Sequence, residues 1–328
     1  MAAELLSWRS IIGMYYARLE MNAGQGWMPL ITNLFNSDQP SETYAWLGMS
    51  PQMREWVGGR QARGFNENKI TIENKHFEAT LEVRRRDARR DKTGQIMVRV
   101  NDLADRTQSH WAKLCSELIL NGAALPAYDG QYFFSTTHQE RDSPVQSNKL
   151  TISLGSLPTI TAGVASSSNP TPNGVPSNPN TEAMQLAIFQ AVSQILSFVD
   201  DVGEPMNELA QQWLIMTPPN LYKQAEAAVS NGLLPGGGTN LIAALERMQF
   251  GVAMNARLLP WTDRFVVFRT DGSVKSIIRQ EEEAVQMKAK VDGSDFAFDN
   301  DAWQFGVDAW RNVGLGYWQQ AVQVILVP

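Results

Sequence analysis

The chain has 328 residues, 43% of them hydrophobic, and a formal net charge of −6, enough to bury a large core in two domains or one elaborate one. The acidic balance gives no overall electrostatic case for nucleic acid, and no apolar run approaches the ~20 residues that span a bilayer. A single cysteine, Cys115, excludes an intramolecular disulfide framework and a cysteine-based zinc cluster.

The opening MAAELLSWRSIIGMYYARLE is interrupted by Arg9 and Arg18 and carries acids, so it lacks the basic-then-apolar order of a secretory leader and predicts a cytoplasmic origin. Residues 3–21 predict a helix with Leu6, Ile11, Met14, Tyr15 and Leu19 as its apolar positions. Met21 to Gln39 reads as an irregular arm anchored by Trp27, Leu30, Ile31, Leu34 and Phe35, which needs a surface in its own domain or a neighbour's. Tyr44 to Phe65 is dense in Trp, Gly and Arg, with Pro51 opening a short helix and Gly58-Gly59 ending it.

From Lys69 to Arg86 the pattern alternates. Ile70 and Ile72 share one face; after Asn74-Lys75-His76 the apolar set is Phe77, Ala79, Leu81 and Val83. A shift from even to odd positions is what a hairpin or a bulge produces. Two lone strands are marginal in water, so a hairpin here needs a surface to cover, which argues for assembly. The stretch ends in Arg84, Arg85, Arg86, Arg89, Arg90 and Lys92 against Asp87 and Asp91. Three readings remain for that cluster: a solvated hairpin base, a nucleic-acid contact, or one side of a complementary interface. The third gains weight from an acidic counterpart, because residues 281–301 carry seven acids, Glu281, Glu282 and Glu283 among them, against two lysines.

Gly94 to Asn121 carries the long helix. Ile96, Val100, Leu103, Thr107, Trp111, Leu114 and Leu118 recur at steps of three and four, and Asn121-Gly122 supplies the stop. The β-tolerant start, Ile96, Val98 and Val100, places the helix proper nearer Asn101 or Asp102, for a rod of about 30–40 Å. Tyr128 to Thr137 then predicts an Asp-Gly turn and a short aromatic strand, followed by a strand at Leu150 to Ser153.

Gly163 to Thr181 is nearly all Ser, Asn, Pro and Gly and marks the best internal boundary. Beyond it Thr181 is expected to cap a helix reaching about Phe198, with Leu186, Phe189, Ile195 and Leu196 in the core. Strands follow at Trp213 to Thr217, Phe250 to Leu258 and Arg264 to Phe268, and helices at Tyr222 to Val229 and Leu241 to Met248, with a glycine tip at Pro235 to Gly238. Ser273 to Val291 is strand-like, and Trp303 to Val327 ends in an apolar strand expected to pack near the long helix.

Chemistry finds little purchase. No dinucleotide fingerprint or phosphate loop is present. His76, His110 and His138 are scattered; His110 reads as a partly exposed helix residue and Cys115 as a small buried hydrophobe. His138, with Asp129 or Glu140, is the one arrangement that would suit a hydrolytic enzyme. The expectation is no enzyme, no catalytic residues, no metal and no cofactor.

Four stretches together resemble the major head subunit (gpT type) of Mu-like tailed bacteriophages and prophages: YAWLGMSPQMREWVGGR at 44–60, ITIENKHFEATLEV at 70–83, NGAALPAYDGQYFFSTTH at 121–138 and FGVDAWRNVGLGYWQQA at 305–321. The resemblance implies an α+β, HK-97-like major capsid fold. It divides the chain into an N-terminal arm (1–64), an extended β-hairpin loop (65–92), a peripheral domain with a spine helix (93–160), a flexible loop (161–180), an axial domain (181–262) and return strands (263–328). It implies a structural subunit that forms pentamers and hexamers of an icosahedral head, assembled in the host bacterial cytoplasm and found in the virion. Scaffold, portal and decoration proteins are the implied partners, packaged double-stranded DNA a non-specific one, and no membrane. Trp27, Arg84, Arg85, Arg86, Arg89, Arg90, Glu281, Glu282 and Glu283 are the expected interface residues. An encapsulin-like shell is the structural alternative.

Overall fold

A computed structural model describes residues 7–21, 26–44, 69–91, 94–158, 173–200, 202–233, 240 and 242–328. The Pro51 helix, most of the Ser/Asn/Pro loop and the glycine tip lie outside the described residues.

Helix α1 (Trp8–Met21) buries Ile11 and Tyr15, one turn apart. The short α2 (Met28–Ile31), with Pro29 in its first turn, leads into β1 (Thr32–Asn36). β2 (Ser41–Tyr44) pairs antiparallel with β3 (Ile70–Glu73), and one residue later β4 (Lys75–Arg84) begins, followed by α3 (Arg85–Arg90) and α4 (Gln95–Leu120). After α4 come β5 (Lys149–Ser153), the two-residue strands β6 (Gly174–Val175) and β7 (Asn178–Pro179), α5 (Thr181–Leu196), β8 (Gln212–Thr217), α6 (Pro219–Ser230), β9 (Gln249–Met254) and β10 (Arg264–Arg269). The long strands β11 (Ile277–Lys290) and β12 (Ala302–Leu315) flank α7 (Asp295–Asn300), and β13 (Ala321–Val327) closes the chain.

Two sheets organise these elements. One runs β1-β11-β12-β4 and the other β5-β13-β10-β8-β9. Sequence pattern decides which strand goes where. β12 alternates, burying Trp303, Phe305, Val307 and Ala309 on one face, as a sheet covered on one side requires. β8 and β10 are apolar without a break, and Leu214 to Met216 and Phe265 to Phe268 are all buried, as central strands are.

The hairpin expected over 70–83 is not formed. β3 pairs with β2, while β4 pairs along its whole length with β12, from Lys75 against Arg311 to Arg84 against Ala302. The parity shift at Asn74 is a hand-over between two partners, and one intervening residue leaves no room for a turn. β1 docks in parallel on β11; of the arm's anchors Ile31 is buried and Trp27 and Phe35 are partly buried against the same core, while Leu30 and Leu34 stay exposed. The return segment divides: β11 and β12 join the four-stranded sheet, but β10 and β13 join the five-stranded one. The apolar C-terminal strand thus packs against α5 rather than the long helix, because its Val322 and Val324 are the inward residues of a central strand.

Helix α4 begins at Gln95, six residues earlier than Asn101. The Asp91 carboxylate accepts from the backbone N–H of Gln95 (3.0 Å) and Ile96 (2.9 Å) across left-handed Gly94, so the cap comes from upstream. Asn180, not Thr181, caps α5, accepting from Ala183 N at 2.7 Å. The buried stripe of α5 runs through Met184, Ala187, Ile188, Ala191 and the expected Ile195, while Leu186, Phe189 and Leu196 are only partly covered. Residues 242–248 form turns, because Asn240 Oδ1 accepts from Ile242 N (3.0 Å) and competes with a helix. The aromatic run at 132–134 is not a strand; Phe133 N bonds to Leu125 O (2.9 Å) and Phe134 N to Gly122 O (3.0 Å), stapling both buried rings to the end of α4.

Among the described residues the interior has two apolar clusters, and α4 serves both. Val100 and Ala104 pack with Ile11, Tyr15, Val83, Phe305 and Val307; one turn or two further on, Trp111, Leu114, Cys115 and Ile119 pack in the cluster that holds the five-stranded sheet. β3 crosses β12 at Gly314, where an added Cβ would sit 2.3 Å from Ile72 Cδ1. Gly314→Ala is expected to cost about 1–3 kcal/mol by overpacking. Pairing it with Ile72→Ala should cost less than the two single changes summed; additive costs in urea titrations would show that the crossing is not close.

Candidate subunit interface

The arginine cluster begins at the end of edge strand β4 and continues through α3, which buried Ala88 holds against the core. Its members part company. The Arg85 guanidinium reaches Asp292 (2.5 Å) and Asp301 (3.9 Å) of its own chain, and Trp303 Nε1 donates to the same Asp292 at 3.1 Å. Arg86 meets exposed Asp87 at 4.0 Å. Arg84, Arg89 and Arg90 form no ion pair with any described residue. Between β4, α3 and the start of α4 lies an open cleft of about 440 Å³, with Leu81, Val83 and Ile96 among its apolar lining and Arg84, Arg90 and Arg99 among its polar lining.

Glu281, Glu282 and Glu283 lie elsewhere. Glu281 sits opposite Arg311 in the β11–β12 ladder, and the register slips at Glu283. Arg311 in turn faces Lys75 at the far end of β4 from Arg84, so the glutamates are about 30 Å along the sheet from the arginine cluster. The acids that meet the cluster within one chain are instead Asp292 and Asp301, at the base of α7.

Two features were not singled out from sequence. The first is α7 itself, whose Phe298 is 89% exposed. Its only trace in the sequence is a pair of phenylalanines inside an otherwise acidic segment. The second is a joint around Trp111, whose ring lies 4.7 Å from the Arg311 guanidinium and 5.4 Å from that of Arg279. Arg311 Nη2 donates to Thr107 O at 3.1 Å, and Arg279 Nε to Thr32 Oγ1 at 2.9 Å. Burial pulls both guanidinium pKa values down, and the nearby Glu281 carboxylate works against that pull.

The histidines are structural in their surroundings. His138 Nδ1 lies 2.6 Å from Asp129 Oδ2, both side chains fully buried, and the ring stacks on Trp318 at 4.0 Å. Its Nε2 faces Phe133 O (3.2 Å) and Asn148 Oδ1 (3.1 Å). Asn148 Oδ1 already accepts from Ser135 N, so Nε2 is set against two acceptors and no hydroxyl or thiol. Cys115 is buried in the core, and that burial pushes its thiol up to about 12, far from a nucleophile's range. Among the described residues no group of three or more His, Cys, Asp or Glu is placed to hold a metal ion, and no helix is long and apolar enough to cross a membrane.

Comparison with known proteins gives a consistent picture. A family model described as the Mu-like prophage major head subunit gpT matches residues 14–156 and 252–325. The chain is 33% identical over 108 residues to the major capsid protein of Escherichia phage Mu, covering 33% of this chain and 35% of that protein. It is 32% identical over 108 residues to the Mu-like prophage FluMu major head subunit of Haemophilus influenzae. These alignments thus span about a third of the curated relatives' length. Among solved structures, the procapsid of bacteriophage JBD30 superposes with a TM-score of 0.52 at 19% identity, over 97% of this chain and 74% of that one. The capsid of cyanophage P-SCSP1u gives 0.53 at 12% identity, over 93% and 91%. At such identities the likeness establishes the fold, an HK-97-like capsid fold.

Two outcomes follow from the geometry. Arg85→Ala should lower unfolding free energy by about 1 kcal/mol, whereas Arg89→Ala with Arg90→Ala should stay within about 0.5 kcal/mol of the parent; equal effects in urea denaturation would undo the division. His110 is lowered to about 4, by burial first and then by Arg311, Lys113 and Arg257. Above its ordinary 6.5 it is neutral in both states; between 6.5 and 4 the unfolded chain takes up a proton that the folded chain refuses. Thermal midpoints should therefore fall across that window as pH drops, and His110→Gln should flatten the fall.

Proposed function

The chain belongs to the Mu-like prophage major head subunit family, and on that premise we propose that it is a structural protein whose copies assemble, as hexamers and pentamers, into an icosahedral head around double-stranded DNA. The observation that carries this reading is where the family match falls. Its two segments, 14–156 and 252–325, take in β1 to β4, α4 and β10 to β12, hence the whole four-stranded sheet and the helix beneath it. What lies between them is mainly α5, β8 and α6, part of the five-stranded layer.

Several surface features support assembly. β1 and β4 are edge strands of the four-stranded sheet, and β4 ends in Arg84, which forms no ion pair with any described residue. Such edges present free backbone groups that another chain can use. β3 pairs with β2 and β4 with β12, so the extended-loop role proposed for 65–92 does not rest on a hairpin between β3 and β4. Different patches meet at each contact, which makes the contacts heterologous and lets them propagate by rotation. Trp27, Arg84, Arg86, Arg89, Arg90 and the Glu281–Glu283 run remain the proposed interface set; Arg85 serves within its own chain. The net charge of −6 suits a container for DNA, since a strongly basic wall would bind the packaged polymer tightly. Scaffold, portal and decoration proteins are proposed as further partners of such a shell.

Purified protein should sediment as capsomers or larger particles as concentration rises, with closed shells in electron micrographs; a compact monomer at every concentration would overturn the reading. Reversing Arg89 and Arg90 to Glu should cut particle yield at least tenfold while the monomer's circular dichroism stays unchanged. Undiminished shells from that variant would remove the arginines from the interface.

A further inference from the structure

Phe298 has the greatest exposure of any large apolar side chain among the described residues, and it is held there. Ser294 caps α7 by accepting from Ala297 N at 3.2 Å, Ala297 is buried, and Phe298 N donates to Ser294 O at 3.1 Å. Asp301 closes the turn with φ of 46°, and Arg85 and Trp303 clamp Asp292 at its base. A phenyl ring fixed in water by this much local structure is not an incidental exposure. Its surroundings are of one sign: residues 292–301 carry Asp292, Asp295, Asp299 and Asp301 and no Lys or Arg. Asp295 and Asp299 pair with no described residue.

The complementary surface is on the same molecule. The cleft behind α3 offers apolar Leu81, Val83 and Ile96 and the cations Arg84, Arg90 and Arg99, none of which has an ion-pair partner among the described residues. Its acids are Glu82, Asp87 and Asp91, of which Asp91 accepts from the α4 backbone and Asp87 lies beside Arg86, outside the Arg84, Arg90 and Arg99 set. Its volume of about 440 Å³ exceeds the roughly 150 Å³ that suffices to hold a benzene ring. The chain's own Phe298 does not line it.

We propose, building on the shell reading, that α7 of one copy inserts Phe298 into the α3–α4 cleft of a second copy, with Asp295 and Asp299 meeting Arg84, Arg90 and Arg99. Ring burial supplies the affinity, and the charges set the direction of entry. Projection and cleft are carried side by side, because Arg85 of α3 bonds to Asp292 and Asp301 at the base of α7. Each copy therefore gives one projection and receives another at the same end, a geometry that repeats around an axis.

The chain's single cysteine is buried, so engineered thiols report cleanly. Full-length Phe298→Cys and Ile96→Cys variants, carrying tags of different size, are mixed and assembled under mild oxidation. A disulfide joining one tag to the other is expected in the assembled fraction. Assembly without that crosslink, or with Phe298→Cys linked only to itself, would overturn the contact and leave the shell reading intact. Monomer alone from the unmodified chain would overturn both. As a second arm, Asp295→Lys with Asp299→Lys should lower particle yield at least tenfold, and so should Arg90→Asp with Arg99→Asp. Combining all four changes in one chain should restore yield to within about threefold of the parent; no recovery would reject the charge pairing.

Discussion

Everything else in this subunit depends on how α4 is held at its midpoint. Trp111 is approached by two guanidinium groups, Arg311 from β12 and Arg279 from β11, and Arg311 also donates to Thr107 O one turn earlier on the same helix. Arg311 is almost wholly buried, with Nε left without a hydrogen-bond partner. A desolvated cation of that kind is tolerated only where aromatic faces and carbonyls replace water. The joint sits on α4 beyond the residues of the first apolar cluster and within the second, so it adds directional contacts between the four-stranded sheet and α4 to the apolar packing.

The far boundary between the layers follows the same logic. Asn207 donates to Ile195 O and Gln319 O and accepts from Arg269 and Gln320, while Gln319 donates to the Tyr128 hydroxyl. Tyr128, buried beside Glu140, has its phenol pKa pushed well up and stays a neutral donor. His138, Asp129 and Asn148 extend the network behind Trp318. Directional hydrogen bonds in a dry interior fix a single relative placement of α5, the loop after α4 and β13. These groups would suggest chemistry if met singly; together they hold the fold in register.

Periodicity within an element was legible, and partnership between elements was not. The three-and-four spacing through Trp111 and Leu118 announces α4, and the alternation from Trp303 to Ala309 announces a one-faced strand. The start of α4 was hidden because its cap, Asp91, lies on the far side of Gly94, while the β-branched residues at 96, 98 and 100 argue locally for a strand. The parity change at Asn74 was visible, yet parity does not reveal whether a strand folds back on its neighbour or crosses to β12. Arg85 and Arg86 are indistinguishable in the sequence. Only the fold places Asp292 beside the first and solvent beside the second.

That last difference bears on how charge works in an assembling protein. A run of six cations reads as one surface feature, but its energetic content is uneven. The partly buried Arg85 pairs through its terminal nitrogens with Asp292 and Asp301 of its own chain and ties the base of α7 to α3. Arg86 lies exposed beside Asp87, and Arg84, Arg89 and Arg90 are exposed and form no ion pair with any described residue; an exposed pair contributes little stability to a monomer. What such charges contribute instead is discrimination between partners, because juxtaposing like charges is costly while matching opposite ones selects orientation. The proposed shell role asks for both properties at one place: a rigid local frame, so that each contact repeats the last, and unsatisfied charge, so that the frame binds a second copy and does not close on itself. Placing one arginine inside the frame and the others at its rim supplies both from a single short stretch of sequence.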